Sequence, residues 1–482
     1  MSKDGVVFGR PKFSILSESQ IEEIHLATLE VLRRTGVRFY HQEALEMLRK
    51  AGAYISDGNL VKFPEHLVER ALATAPSRVV LSNREGEPVI YLEGNRVYFG
   101  TGSDCPNYLD PYTGERRKFT KADLINSYKL CDALPNIHFV MSMGLLSDLP
   151  STMNYCTQFA LMIQNTTKPV VFVAGDYISC AKVIEMAAVV AGGQETLEEN
   201  PFILLYSEPS SPLQQTQEAV DKLLLMAERR LPVVHSPGPM MGATAPITLA
   251  GGLVQANAEI LSSLVVHQLK REGAPFIYGA GIHHMDMSSM QICYGSPEFQ
   301  LTKAGVAALG KYYGLPTWGY AGCSDANVMD EQAALESMFS VLMAQLSGAN
   351  LIHDVGYLES GLTTSLEMVA LTDELIDMTT HFMKSISTNK EDLAVDQINQ
   401  VGPGGNYLST EETVKRFREF WFPTLFNRKR YSEWEKMGKL SLGQKLNAKV
   451  RDILENYVPK PLPSKIQKQV NDILQKVADE TA

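Results

Sequence analysis

Tryptophan occurs only three times and cysteine only six times in this 482-residue chain, and cations are outnumbered, 44 Lys and Arg against 55 Asp and Glu. Each shortage excludes something. Cys105, Cys131, Cys156, Cys180, Cys293 and Cys323 stand singly, with no C-x-x-C spacing, so a disulfide framework is not expected and reduced thiols in a cytoplasmic protein are. A net charge of -11 argues against nucleic acid or an anionic membrane as a partner. The first five residues carry no basic segment leading into an apolar one, so no export signal is expected. The longest uncharged stretch, 231–258, is broken by Pro232, Pro237, Pro239 and Pro246 and reads as protein interior rather than a bilayer span. What remains, 45% hydrophobic and 21% charged residues, is the composition of an ordinary globular protein with a large core.

The chain divides by pattern into three segments. Residues 1–94 read as a small α+β cap: an amphipathic helix over 17–35, helices over 42–51 and 65–74, and a strand pair, 79–82 and 89–92, around the Arg84-Glu85-Gly86-Glu87-Pro88 turn. Residues 95–390 carry eight short apolar runs, at 97–100, 138–143, 169–174, 202–207, 232–236, 275–280, 316–320 and 350–354. Their starts lie 30 to 43 residues apart, and most are followed by a loop and a long helical pattern. Nearly continuous apolar strands in units of that size predict an α/β protein, a (β/α)8 TIM barrel, with a doubly wound open sheet as the alternative. Residues 391–482 read as a helical extension containing an aromatic and basic segment with Trp421, Phe422, Phe426, Tyr431 and Trp434.

In such a barrel the chemistry lies in the loops at the carboxyl ends of the strands. The residues there are rich in Gly, Met, carboxylates and aromatics, and no Lys or Arg falls among them, which makes phosphorylated substrates unexpected. Carboxylates together with π-faces suit a cationic ligand such as a quaternary ammonium. Asp104 and Glu208, each just past an apolar run, and His353, at the end of the eighth, are the candidate catalytic residues; capping or a buried hydrogen-bonded pair is the alternative role for each. His235, His283, His284 and His353 with Cys323 admit a zinc reading, but the sequence lacks H-E-x-x-H, and no bound metal is expected.

The loop Gly322-Cys-Ser-Asp-Ala-Asn-Val-Met-Asp-Glu-Gln-Ala-Ala334, the segment Gly348-Ala-Asn-Leu-Ile-His353-Asp-Val-Gly-Tyr-Leu-Glu-Ser-Gly361 and the stretch Val401-Gly-Pro-Gly-Gly405 resemble the trimethylamine methyltransferase family over nearly the whole chain. The resemblance implies transfer of a methyl group from an amine to the Co(I) corrinoid of a separate cognate protein, or to free cobalamin. The family's founding trimethylamine enzymes carry pyrrolysine, whereas every position here is a standard residue. The chain therefore looks closest to the glycine betaine:corrinoid methyltransferases, and proline betaine and carnitine are the alternative substrates. On this reading Tyr98, Phe99, Tyr320 and Tyr357 surround the trimethylammonium, and Asp104, Glu208 or Glu359 balances its charge. His283, His353, Ser324 and Asn327 are the donors for a substrate carboxylate, and the chain forms a homo-oligomer. A zinc-dependent barrel enzyme and a non-catalytic betaine-binding protein are the rival readings.

Overall fold

A computed structural model describes residue 11 and residues 13–481. The N-terminal residues read above for an export signal lie outside the described residues. The first helix, Glu18–Arg34, starts at a capping box in which Ser17 accepts from the Gln20 amide and the Gln20 side chain accepts from the Ser17 amide. Helices Gln42–Ala51 and Glu65–Thr74 fall where the apolar spacing predicts them, as does the antiparallel pair Val79–Ser82 and Pro88–Leu92.

Seven of the eight predicted runs form strands, all running parallel. Val170–Phe172, Ile203–Ser207, Val233–His235 and Phe276–Ile277 make one ladder; Trp318–Tyr320, Leu351–Val355 and Tyr98–Thr101 make another. The expectation of a clean, closed (β/α)8 barrel is corrected here. Among the described residues no continuous ladder closes on itself, helices predominate, and the remaining sheets mix parallel and antiparallel pairs. The two parallel ladders meet only through single bridges, Gly100 with Phe139 and Val140 with Val170 on one side, Tyr278 with Thr317 on the other.

Side chains explain the interruption. Along the second run, 138–143, the one that forms no strand, the Phe99 amide donates to His138 Nδ1 (3.0 Å) and the Met141 amide to Thr101 Oγ1 (2.9 Å), so groups that would extend the ladder are taken locally. At the other junction the Thr317 amide goes to Asn350 Oδ1 (2.9 Å). Periodicity reports which residues are buried but not which polar side chain intercepts a backbone donor.

Helices cover both ladders. Leu249–Lys270 is long and apolar enough to cross a membrane by length and composition, and 72% of its apolar window is buried inside the protein, against Glu18–Arg34 and its other neighbours. One buried apolar cluster runs from Ile24 to Val477. In the C-terminal segment, Leu442–Asn456 buries Leu446, Val450 and Leu454 against Lys121–Ala133 and Leu366–Phe382, and Ser464–Thr481 packs on Asn154–Asn165 and Tyr177–Ala191. The stretch before them is less covered: 382–440 holds 14 of the 32 large hydrophobics that stay exposed among the described residues.

Candidate functional site

The carboxyl ends of the parallel strands open onto a cavity of about 440 Å³. Tyr98–Thr101 delivers Ser103 and Asp104, Val170–Phe172 delivers Val173 to Gly175, and Ile203–Ser207 delivers Tyr206, Ser207 and Glu208. Tyr320, His353 and Asp354 come from the second ladder, and His283, Tyr294, Tyr357 and Ser360 from the loops beyond. Of the expected residues, Asp104, Glu208, His353, His283, Tyr320 and Tyr357 therefore meet in one place.

Burial dominates the electrostatics. It pushes the Asp104 carboxyl up to about 6, and Asp104 Oδ1 is buried with no hydrogen-bond partner, while Ser103 Oγ donates to Oδ2 at 3.3 Å. Glu208 is raised by burial as well, and its Oε1 accepts from the Tyr206 hydroxyl. His353 Nδ1 stands 2.8 Å from Asp354 Oδ1, but the angle between these neighbours makes no hydrogen bond, and both ring nitrogens are unpartnered. The ring is held instead by aromatics, with centroids 4.2 Å from Tyr320, 4.4 Å from Trp318 and 5.5 Å from Tyr206. His283 stacks on Phe299 at 4.6 Å, and burial lowers its pKa to about 4, which leaves it neutral at pH 7.

The backbone is shaped to bring these groups close. Asp104 and Asp354 both take positive φ, 67° and 76°, in a region disfavoured for residues with a Cβ. Gly102 is required: a Cβ there would lie 2.2 Å from the Tyr357 ring and 2.5 Å from Asp354 Oδ1. Asp325 ties two lining loops together by accepting from the Tyr294 amide (2.7 Å), the Gly295 amide (2.9 Å) and Ser360 Oγ (2.9 Å).

Other expected residues lie elsewhere. Phe99 is fully buried in the core, and Tyr98, at the amino end of its strand, accepts from the Tyr91 amide at 3.2 Å and edges His138. Ser324 is buried and donates to Glu336 at 2.6 Å; Asn327 is exposed. Glu359 is taken by Arg116 through two bonds, 2.7 and 3.1 Å, and by Thr363 at 2.6 Å. Sequence reasoning missed Tyr206, Tyr294 and Lys222. Tyr206 was legible, since residues two apart on a strand share a face and Glu208 had been singled out. Lys222 reaches the cavity from helix Gln217–Glu228, so the absence of cations from the loops did not make the site free of them. Among the described residues no group of three or more His, Cys, Asp or Glu side chains is arranged to hold a metal. His235, part of the zinc reading, is paired through Nε2 with Gln215 at 3.0 Å.

The sequence model of the trimethylamine methyltransferase (MTTB) family matches residues 2–482. The chain belongs to this family. Trimethylamine methyltransferase MttB of Desulfitobacterium hafniense is 36% identical over 465 residues, 96% of this chain and 94% of that protein. Trimethylamine methyltransferase MttB2 of Methanosarcina mazei is 32% identical over 480 residues, 96% and 95% of the two chains. The glycine betaine methyltransferase of D. hafniense is 33% identical over 461 residues, 95% of each. That order corrects the expectation of greatest likeness to the glycine betaine enzymes, because a trimethylamine enzyme matches better over the same span. The crystal structure of Methanosarcina barkeri monomethylamine methyltransferase shares the fold, with a TM-score of 0.55 at 13% identity over 94% of this chain and 91% of that one. As a member of the MttB family, the protein is a corrinoid-dependent methyltransferase acting on a small methylated amine.

Proposed function

We propose that the substrate is a quaternary amine. The observation that carries this reading is the buried, unneutralised carboxylate of Asp104, placed with Glu208 and Asp354 in a cavity walled by Tyr206, Tyr294, Tyr320 and Tyr357. Carboxylates and ring faces both attract a fixed positive charge, and a cation entering the site gives the carboxylates a reason to ionise.

The transfer breaks one C–N bond, whose electron pair stays on nitrogen, and the methyl group passes to cobalt. The corrinoid supplies a nucleophilic Co(I) as methyl acceptor. A quaternary nitrogen leaves as a neutral tertiary amine without taking up a proton, so the protein's own residues need only bind, orient and exclude water. Neutral His283 and the aromatic-held His353 fix the depth of the ammonium; Asp104 and Glu208 stabilise it. Trimethylamine lacks the fourth alkyl group that makes this departure possible without a proton.

The corrinoid protein is proposed to dock on the loops that follow the strands, where Tyr177, Ile178, Ile247, Met287, Met290 and Leu362 stand exposed. Aromatic and methionine side chains are common at the centres of such interfaces. The chain is also proposed to self-associate through 382–440.

The test is anaerobic conversion of cob(I)alamin, followed spectroscopically, with quaternary amines and trimethylamine in parallel. Methylation from one or more quaternary amines, and none from trimethylamine, is the expected result; turnover of trimethylamine alone overturns the reading.

A further inference from the structure

Lys222 is buried to 8% exposure and lines the same cavity, yet its ammonium has one hydrogen bond among the described residues, to the Ala174 carbonyl at 2.6 Å. A lysine ammonium carries three donors. No carboxylate of the described residues lies within 4.0 Å of it, whereas buried charges are ordinarily paired. The buried Lys168 shows the usual solution in this molecule: it places its ammonium on three backbone carbonyls, of Cys131, Leu134 and Ile137, and lines no part of the site. Lys303, beneath the site, is occupied by the Tyr320 carbonyl at 2.9 Å and by the Phe299 ring at 4.7 Å.

The position of Lys222 is as informative as its spare donors. It extends from the helix after Ile203–Ser207 toward the strand ends at 174 and 208, while His283 and Tyr294 enter from the connection after Phe276–Ile277, and Tyr320 and Tyr357 from the other ladder and the turn beyond it. The cavity thus has one ammonium, on the side of Ala174 and Glu208 and within electrostatic reach of the Glu208 carboxylate, and aromatic walls contributed by several other elements. We propose that Lys222 is the anion end of the substrate site, and that the methylated amine carries an acidic group, a carboxylate or a sulfonate, which the Lys222 ammonium receives. This deepens the quaternary-amine reading and rests on it for the other end of the ligand.

The test uses calorimetric binding to the full chain with matched pairs that differ only at the acidic end: glycine betaine against choline, and dimethylglycine against dimethylaminoethanol. The wild type is expected to bind the acidic member of a pair at least about tenfold more tightly. Lys222→Met is expected to remove that preference, with choline affinity changed less than about twofold, and Lys222→Arg to keep most of it. Equal binding within both pairs by the wild type, which needs no variant to fold, overturns the inference, as does an equal loss for acidic and neutral members in Lys222→Met. Binding within the dimethyl pair alone, with the acidic member preferred, rejects the quaternary reading and leaves the anion end standing. No binding of any of the four overturns both.

Discussion

Asp104 combines two burdens, a left-handed backbone and a buried oxygen with no partner, and both are measurable. Its folded pKa of about 6 lies above the ordinary carboxylate value, so above pH 6 the folded state holds an ion that the unfolded chain solvates better. Asp104→Asn is therefore expected to stabilise the fold by on the order of 3 kcal/mol at pH 8 and by little at pH 3, below the ordinary value of 3.8 and where both states are largely protonated, as read by urea unfolding at the two pH values. The same titration governs the ligand. Binding of a cationic amine is expected to strengthen about tenfold as pH rises from 5 to 7 and then level off, and the Asn variant should show a weaker dependence, left to Glu208. Replacing His353 by Gln should lower turnover at least tenfold with an unchanged circular dichroism spectrum; an unchanged rate removes it from the site. At this scale a place in the cavity wall was legible where a polar residue lies at or just past the end of an apolar run, as at Asp104, Glu208 and His353. It misled where a residue sits at the amino end of its strand, as Tyr98 does, or where a nearer partner claims it, as Glu336 claims Ser324.

Among the elements, the hairpin Asn107–Leu109 and Arg116–Lys118 shows how a supporting contact can be separated from a chemical one. Its Arg116 clamps Glu359, next to the turn that carries Ser360 into the cavity. Glu359→Gln is expected to cost at most about 1 kcal/mol in thermal unfolding, the scale of a part-exposed ion pair, with kcat unchanged. Gly102→Ala is the contrasting case, because the added methyl has no room beside Tyr357 and Asp354; loss of turnover is expected even where the protein still folds. Element type was well legible, since helices and strands fall on the runs that periodicity marks. Their assembly was not, because closure of a sheet depends on individual amides such as those of Phe99 and Thr317, and these are diverted by His138 and Asn350.

For the molecule as a whole, the segment 382–440 is the outstanding surface. Phe382, Phe420, Phe422 and Tyr431, at 57–74% exposure, belong to a single 59-residue stretch, and apolar area on this scale is characteristic of an interface rather than of a free surface. Light scattering is expected to find an oligomer, and Phe420→Ser with Phe422→Ser to shift it toward the monomer while leaving amine binding intact. A monomeric wild type at micromolar concentration rejects that role. The two junctions where the parallel ladders meet have a different consequence. Held by isolated bridges instead of full ladders, they divide the cavity wall into two shells joined by short sets of backbone bonds, among them those from the Val140 amide to the Pro169 carbonyl (3.1 Å) and from the Tyr278 amide to the Pro316 carbonyl (2.8 Å). Widening of the mouth to admit an amine or release its demethylated product costs least at these seams, so amide exchange at Val140 and Tyr278 should run ahead of that at Leu205 and Val234 and slow when the cavity is filled.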